Sequence, residues 1–193
     1  MQYIGSKPAM KSSNPLKEQL WQLSQDYIEQ YQQKHGCLPV ADLDTESVSP
    51  CQIKPIDDEK TTWQAVKITE PLDFSNIEKA LELTIHTDFV DYFCTLYADG
   101  INAKTEDGKL SLLFAWNHDD FLRLQENIIG HILMKQKLKQ PITLFFAVTD
   151  EEDMILSLNN ESGEIWVERV GCKPHKKLAN SMAEFIAQLV FDL

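Results

Sequence analysis

The sequence lacks most of the features that mark an enzyme, a membrane span or a nucleic-acid binder. No run approaches the roughly 18 to 20 consecutive apolar residues that cross a bilayer. Residues 1–13 have no apolar core of a secretion signal, so a cytoplasmic protein is expected. There is no glycine-rich phosphate loop and no H-E-x-x-H, and no G-x-S-x-G elbow. The five histidines stand apart. His86-x-Asp88 and His118-Asp119 each offer two ligands, too few for a metal site, and neither metal nor other cofactor is expected. Cys37, Cys51, Cys94 and Cys172 form no C-x-x-C pair. A chain of 193 residues needs no covalent staples, so free thiols are expected.

Positive charge is also scarce. Eighteen Lys and Arg face 30 Asp and Glu, a formal net charge of −12. That balance counts against nucleic-acid binding, which requires a basic face. It also counts against direct docking on an anionic leaflet, which attracts polybasic segments. It suits a basic partner, although net charge also serves solubility alone.

What is present centres on residues 116–148. Asn117 is a candidate N-cap, with Asp120 three residues on in the position of a capping-box partner. Asp119 and Asp120 suit the positive end of the helix dipole, and Lys135, Lys137 and Lys139 suit its negative end. Phe121, Leu124, Ile128 and Ile132 mark an apolar face. Leu122, Ile129 and Leu133 widen it, so a largely buried helix is expected. Gly130 within it suggests a close backbone neighbour. Pro141 ends the pattern, and Ile142 to Val148 reads as a central strand covered on both faces.

Residues 1–13 are polar and aperiodic and are expected to form a disordered arm, with one domain over 14–193. Asn14-Pro15 opens an amphipathic helix to about Lys34, closed by Gly36. Leu38 to Lys60 reads as an acidic loop, and Thr61 to Thr69 as a strand. Ser75 and Glu78 form a capping-box pattern for a helix to about His86; residues 86–93 fit a loop or a strand. Ile101 to Lys104 and Leu110 to Trp116 read as paired strands. Met154 to Leu158 and Glu164 to Val170 read as a hairpin. Ser181 and Glu184 open a last helix. Strict strand–helix alternation is absent. The fold class expected is α+β, a single compact domain with a mostly antiparallel or mixed sheet packed with helices.

The catalytic patterns being absent, the acids near element ends become the candidates for partner binding: Asp88, Asp91, Asp119, Asp120, Glu151 and Glu152. The last two lie in Asp150 to Asp153, four adjacent negative charges that repel one another unless solvent or a cationic partner screens them.

Several motifs resemble the Syd family. They are Trp116-x-x-Asp119-Asp120-Phe121, Leu124-Gln125-Glu126-Asn127, Ile128-Ile129-Gly130-His131, Lys137-Leu138-Lys139-x-Pro141 and Thr143-Leu144-Phe145. Ile85-His86-Thr87, Glu151-Glu152, Asn160-x-Ser162-Gly163-Glu164 and Leu178-Ala179-x-Ser181-x-Ala183-Glu184-Phe185 match in order. The likeness runs from about Lys17 to the C-terminus, is weak over residues 38–60, and leaves the first residues as an extension outside it. It implies a Smi1/Knr4-like fold, no enzymatic activity, and an acidic concave surface that binds the basic cytoplasmic loops of the translocon subunit SecY. The implied role is regulation or quality control of the translocase, with membrane association on the cytoplasmic face of the inner membrane only through that partner. The superfamily likeness leaves an alternative, an immunity-type inhibitor of a basic toxin or enzyme.

Overall fold

The computed structural model describes residues 14–43 and 45–193; the expected N-terminal arm lies outside them. Helix α1 (Pro15–His35) opens as its residues require. Asn14 accepts the Leu16 N–H at 3.1 Å, proline follows, and Gly36 closes the helix at φ 74°. The expected loop over 38–60 holds two strands instead, β1 (Val40–Asp42) and β2 (Gln52–Pro55); the strand expected over 61–69 begins one residue early as β3 (Lys60–Trp63) and breaks there, and the three strands pair in the order β1-β3-β2. Strands of three or four residues interrupted by prolines leave no legible alternation. β4 (Val66–Lys67) follows.

The next stretch departs further from expectation. Helix α2 (Ser75–Leu81) stops early because Glu82 takes a left-handed φ of 51°. Ser75 does not cap it; Asp73 accepts the Ser75 N–H at 3.0 Å, and Glu78 reaches forward to the Ile85 N–H at 2.9 Å. Residues 87–93 are neither loop nor strand but helix α3 (Thr87–Phe93), burying Phe89, Tyr92 and Phe93 at spacings of three and four. Seven residues are too few for that spacing to stand out. β5 (Leu96–Tyr97) then pairs with β4.

The remaining elements are β6 (Ile101–Thr105), β7 (Gly108–Leu112), α4 (His118–Lys137), β8 (Thr143–Thr149), β9 (Met154–Asn159), β10 (Ile165–Arg169), β11 (Lys176–Ala179), α5 (Met182–Ala187) and β12 (Val190–Phe191). They build a seven-stranded sheet, β11-β10-β9-β8-β7-β6-β12, in which every pair is antiparallel. The fold class is α+β, as expected. β8 lies at the centre, which its apolar composition demands. Phe146 faces Tyr92 of α3 and Phe185 of α5, at ring distances of 5.5 and 5.6 Å. Phe145 faces the other way, 5.5 Å from the His131 ring on α4. The sheet is thus sandwiched between α4 and the group α1, α3 and α5.

Asn117 caps α4 by accepting the Asp120 N–H at 2.9 Å. The Asp120 carboxylate accepts the Trp116 N–H rather than closing a box on Asn117. The buried stripe is narrower and more polar than expected: Phe121, Gln125, Ile128, His131, Ile132 and Lys135. Leu122 and Leu133 are exposed, and nothing approaches Gly130.

Lys135 is the largest departure. It does not serve the helix end from the surface but is fully buried, as is Glu168 of β10, with Nζ 2.9 Å from Oε2. Lys135 also donates to the Cys172 carbonyl at 2.7 Å. The Thr143 hydroxyl donates to the second Glu168 oxygen at 2.9 Å, and His131 Nε2 lies 3.0 Å from that hydroxyl. Burial alone would push the Glu168 carboxyl up; the bonds from His131, Lys135 and Thr143 outweigh it, and the carboxyl sits below its usual range.

Removing one member of such a pair strands a charge. Lys135→Met is expected to cost about 3–5 kcal/mol in urea unfolding, whereas Lys135→Met with Glu168→Met recovers much of the loss. Additive losses across that double-mutant cycle would contradict the coupling.

Candidate functional site

Where α1 begins, the chain passes close to α2 and α3, and this junction forms the site. Phe74 packs between Phe89 and Phe121 at ring distances of 5.5 and 5.3 Å, which seats the start of α2 against α3 and α4. With these rings holding the walls, an open hollow of about 570 Å³ remains on the solvent side. Four carboxylates line it: Asp73, Glu78, Asp88 and Asp91.

Each is placed by a local bond. Ser75, by hydroxyl and backbone N–H, holds the Asp73 carboxyl below its usual range, with Lys79 adding to the effect. Glu78 is tied to the Ile85 N–H. Asp91 takes the Lys17 ammonium at 3.2 Å and the Asn14 side-chain amide at 2.5 Å. Asp88 stands in the first turn of α3 and forms no ion pair among the described residues. Its placement depends on His86, whose Nδ1 accepts the Asp88 N–H at 3.2 Å.

His86 is itself held by the β9–β10 loop. Its N–H donates to Asn160 Oδ1 at 2.9 Å, and Asn160 Nδ2 donates to the Thr84 carbonyl at 2.8 Å. Gly163, at φ 75°, lies against the imidazole; a Cβ there would come within 2.7 Å of Nε2. Two stretches more than 70 residues apart in sequence thus form one clamp, and the clamp sets the direction of the groove wall.

The six acids expected from sequence fall into separate places. Asp88 and Asp91 are together in the hollow. Asp119, in the first turn of α4, is exposed but does not line it. A shallower hollow of about 200 Å³ shares Asp73 and runs to His118 beside it. Asp120 is committed to the Trp116 N–H and lies 3.9 Å from Arg123. It also joins Asp42 in raising the half-buried Asp99 carboxyl, whose shift comes first from burial.

Glu151 and Glu152 sit in the β8–β9 turn, at the far end of β8 from Ile142, whose carbonyl accepts the Asn160 N–H. Seven residues of strand put that turn roughly 20 Å from the clamp. Glu151 borders a small separate hollow of about 80 Å³. Asp73 and Glu78 were not among the candidates. In sequence they look like helix-start signals; in the fold Asp73 is held by the Ser75 N–H and Glu78 by the Ile85 N–H beside α3.

Chemically, the groove presents anionic oxygens to solvent with Lys17 and Lys79 as neighbouring cations. It can receive ammonium or guanidinium groups. Among the described residues no group of three His, Cys, Asp or Glu could hold a metal ion.

Comparison with known proteins gives one consistent result. The family model described as "Syd protein (SUKH-2)" matches residues 17–190. Protein Syd of Colwellia psychrerythraea is 53% identical over 190 residues, covering 93% of this chain and 95% of that protein. Protein Syd of Alteromonas mediterranea is 49% identical over 148 residues, 76% of this chain and 82% of that one. Protein Syd of Aliivibrio fischeri is 40% identical over 174 residues, with coverage of 90% and 94%.

The clamp has a direct test. Gly163→Ala combines a left-handed backbone with a collision against His86, and should destabilise the fold by about 1–3 kcal/mol in chemical denaturation. The added loss should shrink when His86→Ala removes the ring. Wild-type stability in Gly163→Ala would show that the loop does not hold His86.

Proposed function

The chain belongs to the Syd family, and we propose that it binds the basic cytoplasmic loops of the translocon subunit SecY through the groove lined by Asp73, Glu78, Asp88 and Asp91. The observation that carries this reading is Asp88, without an ion pair among the described residues, in an open hollow with three further carboxylates. Cytoplasmic loops of membrane proteins carry excess Lys and Arg. A chain of net charge −12 is drawn to them while the anionic leaflet around them repels it. Membrane association then comes through the protein partner alone, on the cytoplasmic face of the inner membrane. No helix among the described residues is long and apolar enough to cross a membrane. The role is binding rather than catalysis, in regulation or quality control of the translocase.

Attraction of this kind mainly raises the association rate, and salt weakens it over a screening length of about 8 Å at physiological ionic strength. Asp119, Glu151 and Glu152 lie outside the hollow and make at most long-range contributions.

Binding to reconstituted SecY, followed by surface plasmon resonance at rising salt, tests the proposal. Asp88→Asn should slow association roughly threefold or more at low salt, with a smaller effect at high salt. Glu151→Gln with Glu152→Gln should change it less. Affinity independent of both salt and Asp88 would remove the charge mechanism.

A further inference from the structure

The acidic groove does not end at Asp73. That residue also borders the shallower hollow of about 200 Å³ that runs toward the start of α4. The divide between the two is fixed from below. Gln125 of α4, only 5% exposed, donates to the Asp73 carbonyl at 2.8 Å and accepts the Asn76 side-chain amide at 2.7 Å. The two hollows therefore keep one relative position and form a single trough.

Their chemistry differs. Four carboxylates line the first. The second has Asp73 as its one carboxylate among the described residues, and Leu72, Phe121 and Leu122 give it apolar walls. Phe121 is buried, but Leu122 is left 46% exposed, although the periodicity of α4 marks it for burial. Single apolar side chains are ordinary on a surface; this one faces a hollow that continues a charged groove.

We propose that the trough takes one extended basic segment of the partner, its cations on the carboxylates of the first hollow and a neighbouring apolar side chain such as leucine against Leu72 and Leu122 in the second. The proposal rests on the groove being the partner site and adds which basic segments it selects. Charge complementarity fixes the occupant of the first hollow, and continuity through Asp73 carries the same chain into the second. A segment of cations alone leaves Leu122 in water. An apolar side chain alone finds only a shallow, open seat. One chain carrying both satisfies both. Exposed ion pairs are individually weak and are screened by salt, whereas an apolar contact persists when the charges are screened. The apolar end thus separates one basic loop from the many others that carry Lys and Arg.

A set of short peptides tests this. Each carries three lysines, a spacer of one to three glycines, and either leucine or serine, in both chain directions, and is titrated into the full chain followed by amide and methyl spectra. The best leucine peptide should bind about three- to tenfold more tightly than its serine counterpart, with shifts at the Thr87 amide and the Leu122 methyls. That advantage should vanish in Leu122→Ser and persist in Leu122→Met, while Asp88→Asn weakens both peptides. Leu122 is exposed enough that neither substitution opens the core.

Equal binding of leucine and serine peptides that still depends on Asp88 defeats only the apolar end. A leucine advantage unchanged in Leu122→Ser also defeats it, because the leucine then sits elsewhere. Binding by no peptide defeats the groove as a cation site, and this proposal with it.

Discussion

The contact between His86 and the β9–β10 loop is the constraint on which the groove depends. The Asp88 N–H is capped by the imidazole; Asn160 holds the His86 backbone N–H, and the ring has room because Gly163 carries no side chain. The loop in turn belongs to the central antiparallel sheet. A surface feature made of short helices, α2 and α3, thereby gains the rigidity of the sheet. Helices of seven residues have little stability alone; here the sheet and the Phe74–Phe89–Phe121 aromatic cluster supply what they lack.

The structure uses charge in two opposite ways. At Lys135 and Glu168 the ions are withdrawn from water and every oxygen of the carboxylate is matched by a donor. That arrangement joins α4 to β8 and β10 and stays internal. In the groove the carboxylates keep water on one side, and Asp88 has no counter-ion among the described residues. Only the second arrangement leaves electrostatic energy for a partner, because solvated charges can exchange one cation for another at little cost.

How much of this was legible in the sequence follows from the length of each signal. Helix α1, helix α4 with its Asn117 cap, the central strand β8 and the Ser181 cap of α5 were readable, since each rests on long periodicity or a capping side chain. The strands β1 and β2 and helix α3 were not, being too short for a period to emerge. Lys135 was misread because a lysine in a last helical turn is ordinarily a surface residue; its burial is decided by Glu168, 33 positions away. In the candidate site, Asp88 and Asp91 were singled out as acids near element ends, whereas Glu78 was hidden behind a capping pattern that the backbone does not use and Asp73 stood outside every motif. Glu151 and Glu152, the densest run of charge, lie at the other end of the strand.

The central claim is that a basic partner loop enters the hollow between α2 and α3. Site-specific photocrosslinking tests it most directly, with the reactive group placed at Thr87 in the groove or at Glu152 in the distant turn, and SecY reconstituted in membranes. The account predicts crosslinks from position 87 to the cytoplasmic loops of SecY that fade as salt is raised, and few from position 152. Crosslinks from 152 with none from 87 would contradict it.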